Sequence, residues 1–169
     1  WVSSVGEVPV GAGATVAGSS VVVAAVDGTV AAIDAASGRD LWRANSGAAN
    51  ASGAGSDGKF AAVVTRHNEV VAFEAGRQTW KAKLPAQGLT APFVAGERVF
   101  VLLADRSVHA FDGATGRKLW AQQRPSEPLV LAKPGLIMAV GDTLVVGLGG
   151  RFVGLNPSNG SVRWEAPLA

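Results

Sequence analysis

The five tryptophans of the chain recur at nearly equal intervals. They stand at positions 1, 42, 80, 120 and 164, so that successive tryptophans are 41, 38, 40 and 44 residues apart. A fixed period of about 20–50 residues is typical of repeat folds, in which each repeat is one supersecondary unit. The period therefore predicts four repeats that end near Trp42, Trp80, Trp120 and Trp164, and it assigns Trp1 to the end of a preceding, incomplete repeat.

A short turn signal lies 13–15 residues before each of the last four tryptophans. Each signal is a residue pair that follows a strand-like run, such as residues 21–26, and precedes another, such as residues 29–34. Two-residue connections of the Asp-Gly and Gly-Gly kind favour type I′ hairpins, in which both central residues have positive φ. We predict such hairpins, although the third pair fits the turn poorly and indicates another geometry. The pairs are Asp27-Gly28, His67-Asn68, Asp105-Arg106 and Gly149-Gly150.

A second pattern follows each hairpin and ends in the tryptophan. The first and third repeats share the sequence Ala-x-Asp-x-x-Ser/Thr-Gly-x-x-x-Trp. We expect the carboxylates of Asp34 and Asp112 to cap backbone N–H groups of the following turn, and Gly38 and Gly116 to take positive φ there. The same capping role is predicted for Glu74, which stands in a turn that is two residues shorter.

The strand pattern predicts an all-β chain. The 22 glycines and the β-branched runs interrupt every helix-period pattern before it reaches ten residues. Each repeat has three predicted strands, and a fourth strand precedes each hairpin. Together they form a four-stranded antiparallel meander of about 40 residues, which is the size of a β-propeller blade. We predict a partial β-propeller over residues 1–169, in which the tryptophans pack as apolar plugs between neighbouring blades. These are Trp42, Trp80, Trp120 and Trp164.

The composition of the chain excludes several classes of function and of site. The formal net charge is +2, from 15 basic and 13 acidic residues. This small excess does not indicate a protein that binds nucleic acid or a membrane surface. The chain has no cysteine, which removes disulfides, thiolate catalysis and cysteine-ligated metals. Its longest apolar runs, of about six residues, are far shorter than the roughly 20 that a membrane-spanning helix needs.

The sequence predicts no catalytic, cofactor or metal site. His67 lies in a predicted turn and His109 in a predicted strand, at different repeat positions, so we do not expect them to meet. The chain has no Walker loop, nucleophile elbow or His-Glu-x-x-His motif. The glycine-rich stretch 46–59 is predicted to be a loop and a weak strand that enters the second blade.

The spacing from Ala32 to Trp42 and from Ala110 to Trp120 resembles the repeat of PQQ-like β-propellers. Within that superfamily the chain is similar to the BamB family, of which residues 1–6 and the run Gly-Asp-Thr-Leu-Val-Val near the fourth blade are typical. The resemblance implies an eight-bladed ring, of which this chain supplies about half. We expect a fragment or, less favoured, a homodimer that completes a ring through unpaired blades.

The resemblance also implies a function. BamB proteins are non-enzymatic scaffold lipoproteins on the periplasmic side of the bacterial outer membrane, where they belong to the β-barrel assembly machinery. They need no cofactor, bind a POTRA domain of BamA, and assist the folding and insertion of nascent outer-membrane proteins. The lipid anchor would lie upstream of residue 1, and we expect it to be the membrane contact. From the small net charge we expect no nucleic-acid partner.

An insertion marks the predicted partner site. The count is 25 residues from Trp42 to His67 and from Trp80 to Asp105, but 29 from Trp120 to Gly149. Insertions in repeat proteins map to loops on one face, which is often the binding face. We therefore expect a partner-binding loop within residues 122–140.

The resemblance assigns residues to that loop. Leu129 and Leu131 match the leucines of a Leu-x-Leu-Arg pattern with which BamB proteins dock on BamA. Ala132 stands where the arginine is expected, and Lys133 follows it. The alternative is structural, namely that the two leucines begin an inner strand and face the core.

Two rival functions stay open. A quinone-dependent dehydrogenase would, by its family, hold the quinone in the central funnel with calcium, an aspartate base and commonly a vicinal disulfide, and the absence of cysteine counts against it. A propeller ectodomain that binds a small ligand has no sequence feature for or against it.

Overall fold

Four antiparallel sheets of four strands each build the chain. The computed structural model describes residue 2 and residues 15–123, 136–148 and 151–167, and it contains no helix within these ranges. This confirms the predicted all-β fold and the partial β-propeller. Blades one and two comprise β1 (Thr15–Ala17), β2 (Ser20–Ala24), β3 (Thr29–Asp34), β4 (Asp40–Asn45), β5 (Gly55–Ser56), β6 (Phe60–Val64), β7 (Glu69–Glu74) and β8 (Arg77–Lys83).

Blades three and four repeat the same topology. Each blade is a meander in which neighbouring strands along the chain pair antiparallel, with the first strand at one edge and the tryptophan-bearing strand at the other. The strands are β9 (Phe93–Ala95), β10 (Arg98–Leu102), β11 (Ser107–Asp112), β12 (Lys118–Gln123), β13 (Leu136–Val140), β14 (Thr143–Leu148), β15 (Arg151–Leu155) and β16 (Val162–Pro167).

The first strands of the blades lie nearest the propeller axis. Residues of β1, β5, β9 and β13 border one common cavity of about 380 Å³. β5 is only two residues long, as expected for the weak strand predicted in the glycine-rich stretch 46–59. This radial order places the tryptophan strands at the outer edges of the blades.

Alternation along the strands produces a separate core between each pair of neighbouring blades. Because successive side chains of a strand point to opposite faces, the middle strands of blades two and three each contribute to two cores. On β10, Val99 and Val101 pack towards blade two, whereas Phe100 and Leu102 pack towards blade four. The blades are therefore held together by face-to-face apolar packing.

The hairpin tips differ from the predicted type I′ turns. Gly28, Asn68 and Arg106 have positive φ, but the residue before each of them does not. In the first tip the N–H of Gly28 bonds to the carbonyl of Ala25 at 3.2 Å, and the N–H of Ala25 bonds to the carbonyl of Thr29 at 2.8 Å. The two other tips within the described ranges have the same two bonds.

The prediction of two-residue type I′ turns is therefore wrong for these three hairpin tips. Each is a three-residue loop that ends in one left-handed residue, and only that last position needs positive φ. β2 consequently ends at Ala24 rather than at the predicted Val26, and β10 ends at Leu102. The fourth predicted pair, Gly149-Gly150, lies outside the described residues.

One face of blade four is open in this chain. Leu136, Met138 and Val140 alternate along β13 and are each more than 40% exposed, and Trp164 on β16 is 42% exposed. Ile137, on the other face of β13, packs against the core shared with blade three. We refer to the surface of Leu136, Met138, Val140 and Trp164 as the open face.

Candidate functional site

Each buried tryptophan lies against a turn of the following blade. The indole Nε1 of Trp80 donates to the carbonyl of Gly113 at 2.8 Å, and that of Trp120 donates to the carbonyl of Pro157 at 2.9 Å. Both rings are nearly buried, at 8% and 9% exposure. The contact thus joins an apolar ring and one directional hydrogen bond, which fixes the spacing of adjacent blades.

The turn that receives Trp80 is organised by its first residue. Oδ1 of Asp112 accepts from the backbone N–H groups of Ala114 and Thr115, both at 3.0 Å. These bonds, chiefly that from Thr115, lower the pKa of the Asp112 carboxyl below its usual value. Gly116 has φ of 74° and lies directly against the Trp80 ring.

The corresponding turns of blades one and four have the same design. Oδ1 of Asp34 accepts from the N–H of Ala36 at 2.8 Å, and Gly38 has φ of 73°. In blade four the amide oxygen of Asn156 takes the place of a carboxylate and accepts from the N–H of Ser158 at 2.9 Å. A side-chain oxygen is therefore sufficient for the cap, and the negative charge is dispensable.

Blade two departs from this design. Within the described residues the Glu74 carboxylate accepts no hydrogen bond from its turn, so the capping role predicted for Glu74 is wrong. The turn has only Ala75 and Gly76 between its strands, and both have positive φ, so its backbone differs from that of the capped turns. The shortened turn leaves a crevice of about 330 Å³ between blades one and two.

The two histidines lie in different blades and have different environments. His67 is exposed at a hairpin tip. His109 is buried in β11, where its Nε2 lies 2.9 Å from the Ser107 hydroxyl, and that hydroxyl donates to the carboxylate of Asp105. Burial is the main cause that lowers the pKa of His109, followed by the charge of Lys118.

This buried set is a structural network. The Ser107 hydroxyl proton is committed to Asp105, so His109 is not placed to take it up as a base. All three residues belong to one strand and its preceding tip. Elsewhere in the described ranges, no three histidine, aspartate or glutamate side chains gather as metal ligands, and no helix is long and apolar enough to cross a membrane.

The predicted partner residues lie outside the described part of the chain. Leu129, Leu131, Ala132 and Lys133 all fall within residues 124–135, which join β12 to β13. The crevice beside Trp42 was not predicted from sequence, although the two-residue shortening of the Glu74 turn is visible there. That shortening was the signal that could have found it.

Comparison with known proteins gives the family. A family model described as outer membrane protein assembly factor BamB matches residues 26–169. A protein of Bordetella pertussis named outer membrane protein assembly factor BamB is 34% identical over 172 aligned residues, which take in 100% of this chain and 45% of that protein. The chain thus spans less than half the length of this relative.

Solved structures agree on the fold. The crystal structure of BamB from Moraxella catarrhalis matches with a TM-score of 0.80 and 20% identity, over 92% of this chain and 48% of that one. A quinohemoprotein alcohol dehydrogenase from Comamonas testosteroni matches with a TM-score of 0.70 and 17% identity, over 95% of this chain and 35% of that one. At these identities both matches describe architecture only. The family model, in contrast, covers most of the sequence, and the chain belongs to the BamB family of outer membrane protein assembly factors.

Proposed function

We propose that this chain is part of a non-enzymatic scaffold subunit that binds BamA and assists the folding and insertion of outer-membrane proteins. The observation that carries the proposal is the family match over residues 26–169. The relatives are named assembly factors of outer membrane proteins, which also supports a location on the periplasmic side of that membrane. The fold likeness to a quinohemoprotein dehydrogenase carries no functional argument at its 17% identity.

The contact with a POTRA domain of BamA is assigned to the connection between blades three and four. Residues 46–54 and 84–92 join the earlier blades, whereas residues 124–135 form this connection and are the longer stretch. Gln123 and Leu136, at its two ends, are both exposed. The chain therefore enters and leaves this segment at the molecular surface, which supports a binding loop.

Leu129 and Leu131 are the proposed apolar anchors, with Lys133 as a nearby cation. Apolar anchors beside a positive charge are typical of interface hot spots. Ala132 replaces the arginine expected from the family pattern, so the charged part of the contact falls to Lys133.

Substitution of both leucines tests this assignment. We expect Leu129→Ala with Leu131→Ala, made in the full-length protein, to weaken capture of BamA in a pull-down without lowering the thermal midpoint. The matched control is Leu41→Ala, because Leu41 is an exposed leucine that belongs to a different pair of blades. A fall in thermal stability with unchanged capture would contradict the proposal and favour core leucines. Ala132→Arg should strengthen capture, since it restores the expected cation.

A further inference from the structure

The contact between blades one and two lacks the turn segment that fills the equivalent place in the next two contacts. From Glu74 to Trp80 the chain has two residues fewer than the corresponding segments of the other three blades have between the first residue of the turn and the tryptophan. The vacant volume is a crevice of about 330 Å³ whose walls include Leu41, Trp42, Phe60 and Glu74. This volume lies at the lower end of the roughly 300–1,000 Å³ found for small ligand sites.

The crevice holds a hydrogen-bond donor without an acceptor. Trp80 and Trp120 each donate their indole N–H to a backbone carbonyl of the next blade, at 2.8 and 2.9 Å. Trp42 stacks on Phe73 with ring centroids 6.2 Å apart, but within the described residues its indole N–H has no acceptor. Gly76 of the shortened turn lies against Trp42, where an added Cβ would be 2.8 Å from the Trp42 Cβ, but no carbonyl of that turn accepts the indole N–H.

The crevice also holds an acceptor without a donor. The Glu74 carboxylate caps no backbone group and forms no ion pair with any described residue. Lys59 lines the same crevice, but its ammonium group lies 3.5 Å from the Glu97 carboxylate and 5.0 Å from the Phe60 ring centroid. Glu74 is thus left to attract a cation from outside the chain.

The apolar part of the crevice is accessible. The Leu41 side chain is 56% exposed and Trp42 is half-buried, whereas the two tryptophans that lie against full-length turns are nearly buried. Apolar surface beside one free donor and one free acid is complementary to a peptide that has a carbonyl, an apolar side chain and a basic side chain close together.

We propose that this crevice binds an extended peptide segment of a partner protein. In the bound segment a backbone carbonyl accepts the Trp42 indole hydrogen bond, an apolar side chain covers Leu41, and a neighbouring lysine or arginine pairs with Glu74. The occupant is a backbone segment because that is what fills the equivalent place beside Trp80 and Trp120. The inference does not rest on the proposed contact with BamA, which uses a different pair of blades.

Indole NMR signals provide a direct test. The full chain labelled with ¹⁵N has five tryptophans, and the Trp42 indole signal is assigned by its loss in Trp42→Phe. The probe is the peptide acetyl-Gly-Leu-Lys-Gly-amide, and the matched probe has glutamate in place of lysine. We expect the lysine peptide to shift the Trp42 indole signal saturably while the Trp80 and Trp120 signals stay in place. The glutamate peptide should shift none of them.

Two variants separate the crevice from general peptide binding. Glu74→Gln should weaken binding of the lysine peptide roughly tenfold, as expected for loss of one charged hydrogen bond. Glu69→Gln is the matched control, because Glu69 is on the same strand but pairs with Lys81 at 3.7 Å. It should leave binding unchanged.

A turn graft fills the crevice with a full-length turn; it keeps Leu41, Trp42 and Phe60 and puts an aspartate in place of Glu74. Replacing residues 74–77 with Asp-Gly-Ala-Thr-Gly-Arg, the turn of blade three, should supply the missing carbonyl and abolish the shift of the Trp42 signal. The proposal is overturned if the lysine peptide leaves that signal unmoved. It is equally overturned if the glutamate peptide binds as well, if both glutamate variants weaken binding alike, or if the grafted chain still binds.

Discussion

At the scale of single residues, small side chains determine where the tryptophans can lie. The residue directly opposite each tryptophan on the neighbouring strand is Ala32, Ala72, Ala110 or Gly154. In blade four a Cβ at Gly154 would lie only 2.3 Å from the Trp164 ring. The sequence did not predict that small residues stand opposite the rings, because cross-strand partners depend on register. The three-residue hairpin tips change this register from the one that two-residue turns would give.

His109 makes stability depend on pH. It is 4% exposed, and burial lowers its pKa below the ordinary value of 6.5. The unfolded chain therefore takes up this proton at a higher pH than the native chain does. The stability gained from the neutral form is present above about pH 6.5 and falls as the pH drops below that value towards the lowered native pKa.

Urea unfolding at pH 7.5 and 5.5 measures this effect. The free energy of unfolding should fall between the two pH values in the unmodified chain and fall less in His109→Val, which matches Val71 and Val153 at the same place in blades two and four. The control is His67→Gln, because His67 is exposed at a hairpin tip. Equal pH slopes for the unmodified chain and His109→Val would show that His109 does not contribute.

At the scale of elements, the contact between a tryptophan strand and the next turn is the repeated unit of assembly. The pattern Asp-x-x-Ser/Thr-Gly indicated a capped turn with a left-handed glycine, and Asp34 and Asp112 lie in such turns. The sequence did not indicate that the turn would accept a hydrogen bond from a tryptophan of the preceding blade. Donor and acceptor are 33 residues apart for Trp80 and 37 for Trp120, so no local pattern links them.

Gly116 tests how closely the two elements fit. It has φ of 74°, and a Cβ there would lie 2.4 Å from the Trp80 ring. Gly116→Ala therefore combines backbone strain with overpacking. We expect it to lower the free energy of unfolding by about 1–2 kcal/mol from left-handed strain and by a further ~1–3 kcal/mol from the clash.

Gly141→Ala isolates the backbone contribution. Gly141 has φ of 59°, and a Cβ there would meet nothing within 4 Å. Denaturant unfolding of both variants should show a clearly larger loss for Gly116→Ala. Equal losses would mean that the Trp80 ring moves aside without cost and that the contact does not set the spacing between blades.

At the scale of the whole molecule, the described blades form a stack of three cores with an open face at blade four. The period of the tryptophans was enough to predict the number of blades and the fold. It could not predict which inter-blade contact would be incomplete, because one missing hydrogen bond and one crevice arise from a two-residue difference in a single turn. The open face likewise follows from three-dimensional neighbours, because no described blade packs on that side of blade four.

The open face leads to an expectation about the 169-residue chain taken alone. Leu136, Met138, Val140 and Trp164 form an apolar surface on blade four, and Val16 of blade one is 72% exposed. If two copies pair to complete a ring, the open face of each copy packs on blade one of the other, since such a contact joins two different surfaces. Exposed apolar surface of this kind favours association.

Sedimentation velocity over a range of concentrations measures this pairing, which stays a prediction until then. The paired ring predicts a dimer whose population rises with concentration and which Met138→Lys and Val16→Lys should each suppress, because either charge would be buried in the interface. Gln78→Lys, at an exposed position of β8, is the control with the same added charge. Suppression by Met138→Lys alone would indicate that the open faces pack on each other, and a monomer at every concentration would rule out the paired ring.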